Sequence, residues 1–354
     1  MYMGKLKISI VGHYGSNSNM TDGQTVKVRS LISALNTYYP NIELNIVDTY
    51  FVLHKRLFKF LWMLFIAIIT TKNFIFFPSG RGRRYMFRFF YILSKYFKKN
   101  CFHDCIAGSL DENLQVHPEW RKFLNSFRYN WMESPKQVEI LKTMGIKNAE
   151  FLPNFKNLKA ACLTDIISSS SECEFNFCIF SRILEMKGVE DAAIAIQRLS
   201  LVENVNAHLD IYGPIEPGEE EWFSNVLNKY KEFITYKGIV PYDKSVEVIK
   251  DYFALLFPTK FFNEGMPGTI IDAMFAGVPV IARKWMWCDN MITNGYNGIS
   301  YDFEHPELLE EILINVTRHP SIITEMKPNC IQKSSEYSPE SVCSRIVNAI
   351  FAVS

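Results

Sequence analysis

The segment Phe257-Pro258-Thr259-Lys260-Phe261-Phe262-Asn263-Glu264-Gly265-Met266-Pro267-Gly268-Thr269-Ile270-Ile271-Asp272-Ala273-Met274-Phe275-Ala276-Gly277-Val278-Pro279-Val280 leaves an apolar run for a glycine-rich loop bearing one carboxylate, Glu264. A helical pattern follows with a second carboxylate, Asp272, on its first turn, and another apolar run begins at 278. Strand, loop, helix and strand in that order make one step of a parallel sheet. Outward from this step, strands are expected at 175–181, 207–213, 233–240, 253–258, 278–282 and 297–301, with helical patterns between them and further helices at 306–319 and 338–353. Helices that regularly follow strands mean a mainly parallel sheet covered on both faces.

The amino-terminal half repeats the alternation. Lys7–Tyr14 alternates like a buried strand and ends in Gly12-His13-Tyr14-Gly15; the polar loop Ser16–Gly23 and a helix with Val28, Leu31, Ile32 and Leu35 at helical spacing come next. A strand at 42–47, a helix at 55–71, a strand at 74–77, a helix at 83–97, a strand at 101–106 and a strand-like run at 128–132 continue the series. At ~100–200 residues per domain the chain of 354 suits two domains. The loop Leu152–Phe155 and the serine run Ser168–Ser171 mark the join. The expected class is α/β, two Rossmann-like doubly wound domains facing a central cleft, with ligands held beyond the carboxyl ends of the strands.

Hydrophobic residues make up 48% and charged residues 21%, which excludes a mostly disordered, collagenous or multi-span membrane chain. The net charge of +1 hides an asymmetry: residues 1–160 hold 23 Lys and Arg against 10 Asp and Glu, whereas 161–354 hold 15 against 27. One half is therefore expected to face a polyanion. The basic excess peaks between Thr49 and His103, with eleven Lys and Arg and no Asp or Glu. There Arg81, Arg83, Arg84, Arg88, Lys95, Lys98 and Lys99 are interleaved with Tyr85, Phe87, Phe89, Phe90 and Tyr91, the pattern of a helix lying on an anionic lipid surface. Charge alone also suits a nucleic acid; the aromatic excess favours the lipid interface, and no nucleic-acid partner is expected. The alternative is a pair of sheet-covering helices with a solvated basic face. The apolar window Phe60–Ile69 is too short to span a bilayer. The eight cysteines contain no Cys-x-x-Cys pair and no metal-like spacing, and the first residues lack a signal-peptide pattern, so reduced thiols, no metal site and a cytoplasmic location are expected.

Two places carry chemistry. Ser181-Arg182-Ile183-Leu184-Glu185-Met186-Lys187-Gly188 links an expected strand end to a helix start, where a guanidinium, an ammonium and backbone N–H groups can converge on a phosphate; a solvated helix start is the plain alternative. In the 257–280 segment, glycines let the backbone approach a ligand, and the N–H groups near Thr269 and Ile270 offer an anion site. Carboxylates on either side suit hydroxyls of a sugar and a ribose. Asp272 could equally complement the helix dipole.

With these residues in place, the sequence resembles the glycosyltransferase family 4 group of retaining, GT-B-fold sugar-nucleotide transferases, most strongly from 175 to 300. That family's signature of two carboxylates with seven residues between them, around a Gly-x-Pro loop, reads here as Glu264 and Asp272. The resemblance implies that Glu264 contacts donor-sugar hydroxyls, that Gly265, Met266, Pro267, Gly268 and Thr269 hold sugar and diphosphate, and that Asp272 takes the ribose. It also implies that Arg182 and Lys187 neutralise the diphosphate without a metal, and that Gly23 approaches donor phosphates and acceptor. His103 stands where members place a histidine near the reacting sugar, or is a core histidine. Cys105–Leu110, Glu133-Ser134-Pro135, Gly145 and Leu152-Pro153-Asn154 look like the subset that builds capsule, exopolysaccharide or O-antigen units. The implied protein is a hexosyltransferase peripheral on the inner face of the plasma membrane. Its donor is a nucleotide sugar, UDP-linked, its acceptor a lipid-linked sugar, and it has no cofactor. Its domains are 1–160 and 161–337, with helix 338–354 packing back on the first.

Two positions depart from the family: Ser181 replaces a glycine, and Asp272 is one methylene shorter than Glu. These favour, as an alternative, a catalytically weak partner subunit of another transferase; a UDP-sugar epimerase of similar shape is a second. A nicotinamide oxidoreductase is disfavoured because Gly12-His13-Tyr14-Gly15 lacks the Gly-x-Gly-x-x-Gly spacing.

Overall fold

The computed structural model describes residues 6–15, 23–53, 56–80, 82–105, 110–162 and 174–353. It divides into two compact units, Met1–Asn157 with Glu336–Ser354, and Leu158–Ser335.

In chain order the first unit contains β1 (Lys7–Gly12), α1 (Gly23–Tyr38), β2 (Glu43–Asp48), α2 (Tyr50–Leu53), α3 (Leu57–Thr70), β3 (Asn73–Phe76) and α4 (Arg83–Tyr96). Then come β4 (Asn100–Asp104), α5 (Leu110–Val116), α6 (Trp120–Leu124), β5 (Tyr129–Met132), α7 (Pro135–Thr143) and β6 (Ala149–Phe151). The strands form one parallel sheet in the order β2-β1-β3-β4-β5-β6. Central β3 is buried along its whole length, as expected of a strand covered on both faces. On one face α3, α4 and α7 pack over Val11, Val47, Phe74 and Phe76; on the other α1 packs over Ile8, Ile10 and Ile75. The edge strand β6 was not expected. Three residues are too few to display an alternation, and only its pairing with β5 identifies it.

The second unit runs β7 (Phe175–Phe180), α8 (Val189–Val202), β8 (Ala207–Tyr212), α9 (Glu220–Lys229), β9 (Ile234–Gly238), α10 (Ser245–Ile249), β10 (Ala254–Phe257), α11 (Gly268–Ala276), β11 (Val280–Arg283), β12 (Gly298–Tyr301), α12 (Leu308–Arg318) and α13 (Ser321–Ser334). Its parallel sheet has the order β12-β11-β10-β7-β8-β9. The final helix, α14 (Pro339–Phe351), belongs to the first unit, where Val342, Cys343, Ile346, Val347 and Ile350 pack with Val28 and Leu31 of α1. Its start is capped by Ser338, whose hydroxyl accepts from the Ser341 N–H, with Pro339 in the first turn.

Both sheets are α/β and doubly wound. Each has a point where the chain's direction of travel across the sheet reverses: between β1 and β3 in the first, between β7 and β10 in the second. Loops leaving such neighbouring strands diverge to opposite faces and leave a crevice, the usual ligand position in open α/β sheets. The segments 181–188 and 258–267 are the two loops at the second unit's crevice.

The helix expected at 83–97 forms, but its charges do not all face outward. Arg83 is buried, its guanidinium 3.6 Å from Cys105 Sγ, a correction to its expected surface role. It shares the inward face of α4 with Phe87, Phe90 and Leu93. Lys99 is half-buried, and its ammonium donates to the carbonyls of Ile68 (2.5 Å) and Thr71 (2.7 Å), neutralising the carboxyl end of α3. Arg84, Arg88, Lys95 and Lys98 are exposed, and Arg81 lies outside the described residues. No described helix is long and apolar enough to cross a membrane.

Candidate functional site

The second unit's crevice is assembled by a glycine. Gly188 follows a 3₁₀ turn at Glu185–Lys187 and adopts φ +73°; a Cβ there would lie 2.1 Å from the Pro258 carbonyl oxygen. Only glycine permits both the left-handed turn and the approach to the strand-end residue of the neighbouring loop. A second strap, from the Lys260 N–H to the Met186 carbonyl at 2.8 Å, holds the same two loops together. Gly213 does comparable work at the end of β8, where a Cβ would come within 1.8 Å of the Ser181 carbonyl oxygen.

This packing brings Lys187 and Glu264 together. Lys187 Nζ lies 2.6 Å from Glu264 Oε2, and the Thr259 hydroxyl donates to the same oxygen at 3.3 Å. The side chains are 12% and 20% exposed, so the pair is sheltered yet reachable. The ammonium also lies 5.6 Å and 5.3 Å from the ring centroids of Phe257 and Phe261, a favourable setting for a cation.

Next to the pair, the Gly265–Gly268 loop enters α11. Trp285 Nε1 donates to the Gly265 carbonyl at 3.1 Å, fixing the loop from below, and Met266 is buried. The residue preceding α11, Pro267, provides no side-chain cap. The amides of the first turn therefore keep the partial positive charge of an uncapped helix start. The buried hydroxyl of Thr269 has no hydrogen-bond partner among the described residues, although a buried polar group ordinarily finds one. An anion with oxygens on several sides would satisfy both features.

Other expected residues are placed differently. Arg182 is exposed and pairs with Glu216 at 3.1 Å, a partner outside the Lys187–Glu264 cluster. Asp272 is 2% exposed, so a ribose could meet it only by entering a buried setting. In the first unit, Gly23 opens α1, and a Cβ there would meet nothing within 4 Å. His103 is wholly buried between Phe76 and Phe87, and its Nδ1 lies 3.0 Å from Asn130 Oδ1. Burial first, and the Arg83 charge second, push its pKa down to about 3, so the ring is neutral. That is the environment of a core histidine.

A buried ion cluster escaped the sequence reading. At the carboxyl ends of β4 and β5, Lys27 Nζ lies 2.5 Å from Asp104 and 2.8 Å from Glu133. Burial opposes the lysine's charge, but the two carboxylates outweigh it and raise its pKa. The available signal is an acid at the end of one strand, Asp104, and another directly after the next, Glu133. At the carboxyl end of β2, Asp48 Oδ1 accepts the N–H groups of Tyr14 and Tyr50, both at 2.9 Å, and Arg29 donates to the carbonyls of Tyr14 and Gly15, both at 2.8 Å, so the segment after β1 is held on two sides.

Residues 174–319 match the family model of the glycosyl transferases group 1. That span is similar to a group 1 glycosyltransferase domain. It contains Arg182, Lys187, Glu264, the 265–269 loop and Asp272, so every second-unit residue singled out above lies within it. A curated relative, an uncharacterised glycosyltransferase of Methanocaldococcus jannaschii, is 22% identical over 151 residues, which are 42% of this chain and 38% of the relative. The match thus spans well under half of that relative's length. Among solved structures, HepE of Anabaena in complex with UDP and glucose is similar with a TM-score of 0.71 at 14% identity, covering 98% of this chain and 100% of that one. A sucrose-phosphate synthase of Thermosynechococcus elongatus gives 0.75 at 13%, covering 99% and 100%. A lipopolysaccharide outer core galactosyltransferase, WaaB, gives 0.68 at 16%, covering 98% and 99%. At these identities the likeness establishes the fold alone: GT-B, with two Rossmann-like units.

Proposed function

We propose that the protein is a retaining glycosyltransferase that moves a sugar from a UDP-linked donor to a hydroxyl of a lipid-linked oligosaccharide in the assembly of a bacterial surface polysaccharide. The observation that carries this reading is the Lys187–Glu264 pair at the crevice beside an uncapped helix start. A cation and a carboxylate already in contact can each exchange the other for part of one ligand. A diphosphate docked on the first turn of α11 draws Lys187 to itself, and Glu264 then accepts hydrogen bonds from the donor sugar's hydroxyls. As the bond from C1 to the diphosphate oxygen breaks, Lys187 and the helix amides meet the charge that develops on the leaving group. The acceptor oxygen joins C1 on the same face, and its proton passes to the departing phosphate oxygen. Arg182 joins by leaving Glu216; Asp272 completes the donor contacts, and a metal is not required because the protein's own cations serve. His103, sealed in the core, has no part in the scheme.

UDP is favoured because HepE, of the same fold, has been crystallised with UDP and with UDP-glucose. The galactosyltransferase of the lipopolysaccharide outer core supports the surface-polysaccharide setting. Protection against thermal unfolding by a panel of UDP-sugars, with ADP- and GDP-sugars as controls, tests the reading. A UDP-sugar should raise the midpoint in wild type and fail to do so in Lys187→Ala; no protection by any UDP compound counts against it.

A further inference from the structure

Helix α3 covers the sheet with one side only. Leu64 and Ala67 are buried, and Met63 and Ile68 pack partly beneath. The other side carries Phe58, Leu61, Trp62, Phe65 and Ile69, which are 91%, 48%, 64%, 53% and 61% exposed. Their spacing of three and four residues lays them along a single stripe. Single exposed apolar residues are ordinary, but five large ones in a row on a 14-residue helix form a patch of the kind that marks an interaction surface.

The surroundings of the stripe identify its partner. Arg56 and Lys59 are exposed at its amino end and Lys72 just beyond its carboxyl end. Arg84, Arg88 and Lys95 project from α4, which packs on the same face of the sheet. No Asp or Glu occurs from Thr49 to His103. An apolar strip rimmed by cations matches a surface that is anionic at its boundary and apolar below it. A second copy of the chain fits less well, because a two-fold contact through the stripe would set these cations against their own equivalents.

We infer that α3 is the element that enters the membrane. Phe58, Leu61, Trp62, Phe65 and Ile69 insert beneath the headgroups of an anionic bilayer, and Arg84, Arg88 and Lys95 bind the headgroups. This deepens the reading of a lipid-borne acceptor, but it rests on first-unit side chains that take no part in the donor site.

The test is sedimentation of the full chain with vesicles of phosphatidylglycerol and phosphatidylcholine, and with vesicles of phosphatidylcholine alone. Wild type should partition to the anionic vesicles. Phe58→Ser/Trp62→Ser/Phe65→Ser should lower that partitioning about tenfold or more, given the apolar surface no longer buried, and Arg84→Glu/Arg88→Glu/Lys95→Glu should lower it comparably. The altered side chains are solvent-exposed, and an unchanged thermal midpoint with intact UDP-glucose protection shows that the variants fold. Vesicles should also shift wild-type tryptophan emission to the blue, and Trp62→Phe should remove most of that shift. Equal partitioning of the serine variant and wild type would overturn the inference, as would a dimer that the serine substitutions dissolve while lipid binding is untouched. Transfer to a water-soluble acceptor without vesicle binding would defeat this inference alone; vesicle binding without any transfer would defeat the activity alone.

Discussion

Replacing Glu264 with Gln and, separately, Lys187 with Ala separates two roles that the structure joins in one ion pair. The pair is 2.6 Å long and neither partner is fully buried. Breaking it therefore costs more than the ~0.2–1 kcal/mol of an exposed pair and less than the ~3–5 kcal/mol of a buried one. About 1–2 kcal/mol is expected from either substitution in the absence of ligand, or roughly 2–8 °C in the midpoint of a unit of this size. With UDP the two variants should diverge. Lys187→Ala removes a charge-assisted contact to the diphosphate, worth ~1.5–3 kcal/mol, so UDP should bind about ten- to a hundredfold more weakly. Glu264→Gln releases Lys187 from its competing carboxylate, so UDP should bind as well as to wild type or more tightly. Sugar transfer should nonetheless fall about a hundredfold or more, because the carboxylate's charge beside the reacting sugar is gone. Calorimetric titration with UDP and a turnover assay on each variant supply the comparison. Equal weakening of UDP binding by both substitutions would refute the exchange of partners between Lys187, Glu264 and the diphosphate.

Gly188→Ala should destabilise the second unit by about 2–4 kcal/mol, since the new methyl is forced against the Pro258 carbonyl in a left-handed backbone; a thermal midpoint within a degree of wild type would contradict this. His103, neutral in the fold with its pKa pushed down to about 3, is protonated more readily in the unfolded chain between about pH 3 and 6.5. Stability therefore falls as the pH drops through that window, with this residue contributing about 2 kcal/mol of loss by pH 5. Denaturant titrations of wild type and His103→Gln at pH 7 and pH 5 should show a shallower fall in the variant. Lys27→Met leaves Asp104 and Glu133 facing each other without their cation and should cost about 3–5 kcal/mol, measured by urea unfolding of the first unit.

The sequence announced the features that are local in the chain. The 257–280 segment carries its strand, loop and helix consecutively, and strand order supplied the rest: Lys187 and Glu264 are 77 residues apart, yet both follow strands that flank a reversal of direction. What was missed depended on phase or on distant partners. Arg83 stands among charged neighbours in the sequence, but it falls on the helical stripe of Phe87, Phe90 and Leu93 and is buried with them. In the sequence the stripe on α3 shows only as a hydrophobic window, because hydrophobicity summed over a helix does not say which side the sheet covers. The Lys27 cluster joins residues 77 and 106 apart through adjacent strand ends, and a single sequence does not display such pairings. Asp272 matched a spacing in the sequence, but only tertiary packing reveals that the inner face of α11 buries it.

Proton NMR of the reaction tests most directly whether sugar is transferred with retention at the Lys187–Glu264 site. Wild-type protein incubated with α-linked UDP-sugars and a panel of alkyl glycosides should yield a product whose new anomeric signal has the small coupling of an α-linkage, and Glu264→Gln should form it about a hundredfold or more slowly. A β-linked product would contradict retention. An isomerised UDP-sugar formed without acceptor, or a donor that is bound yet left intact with every acceptor, would contradict transfer itself.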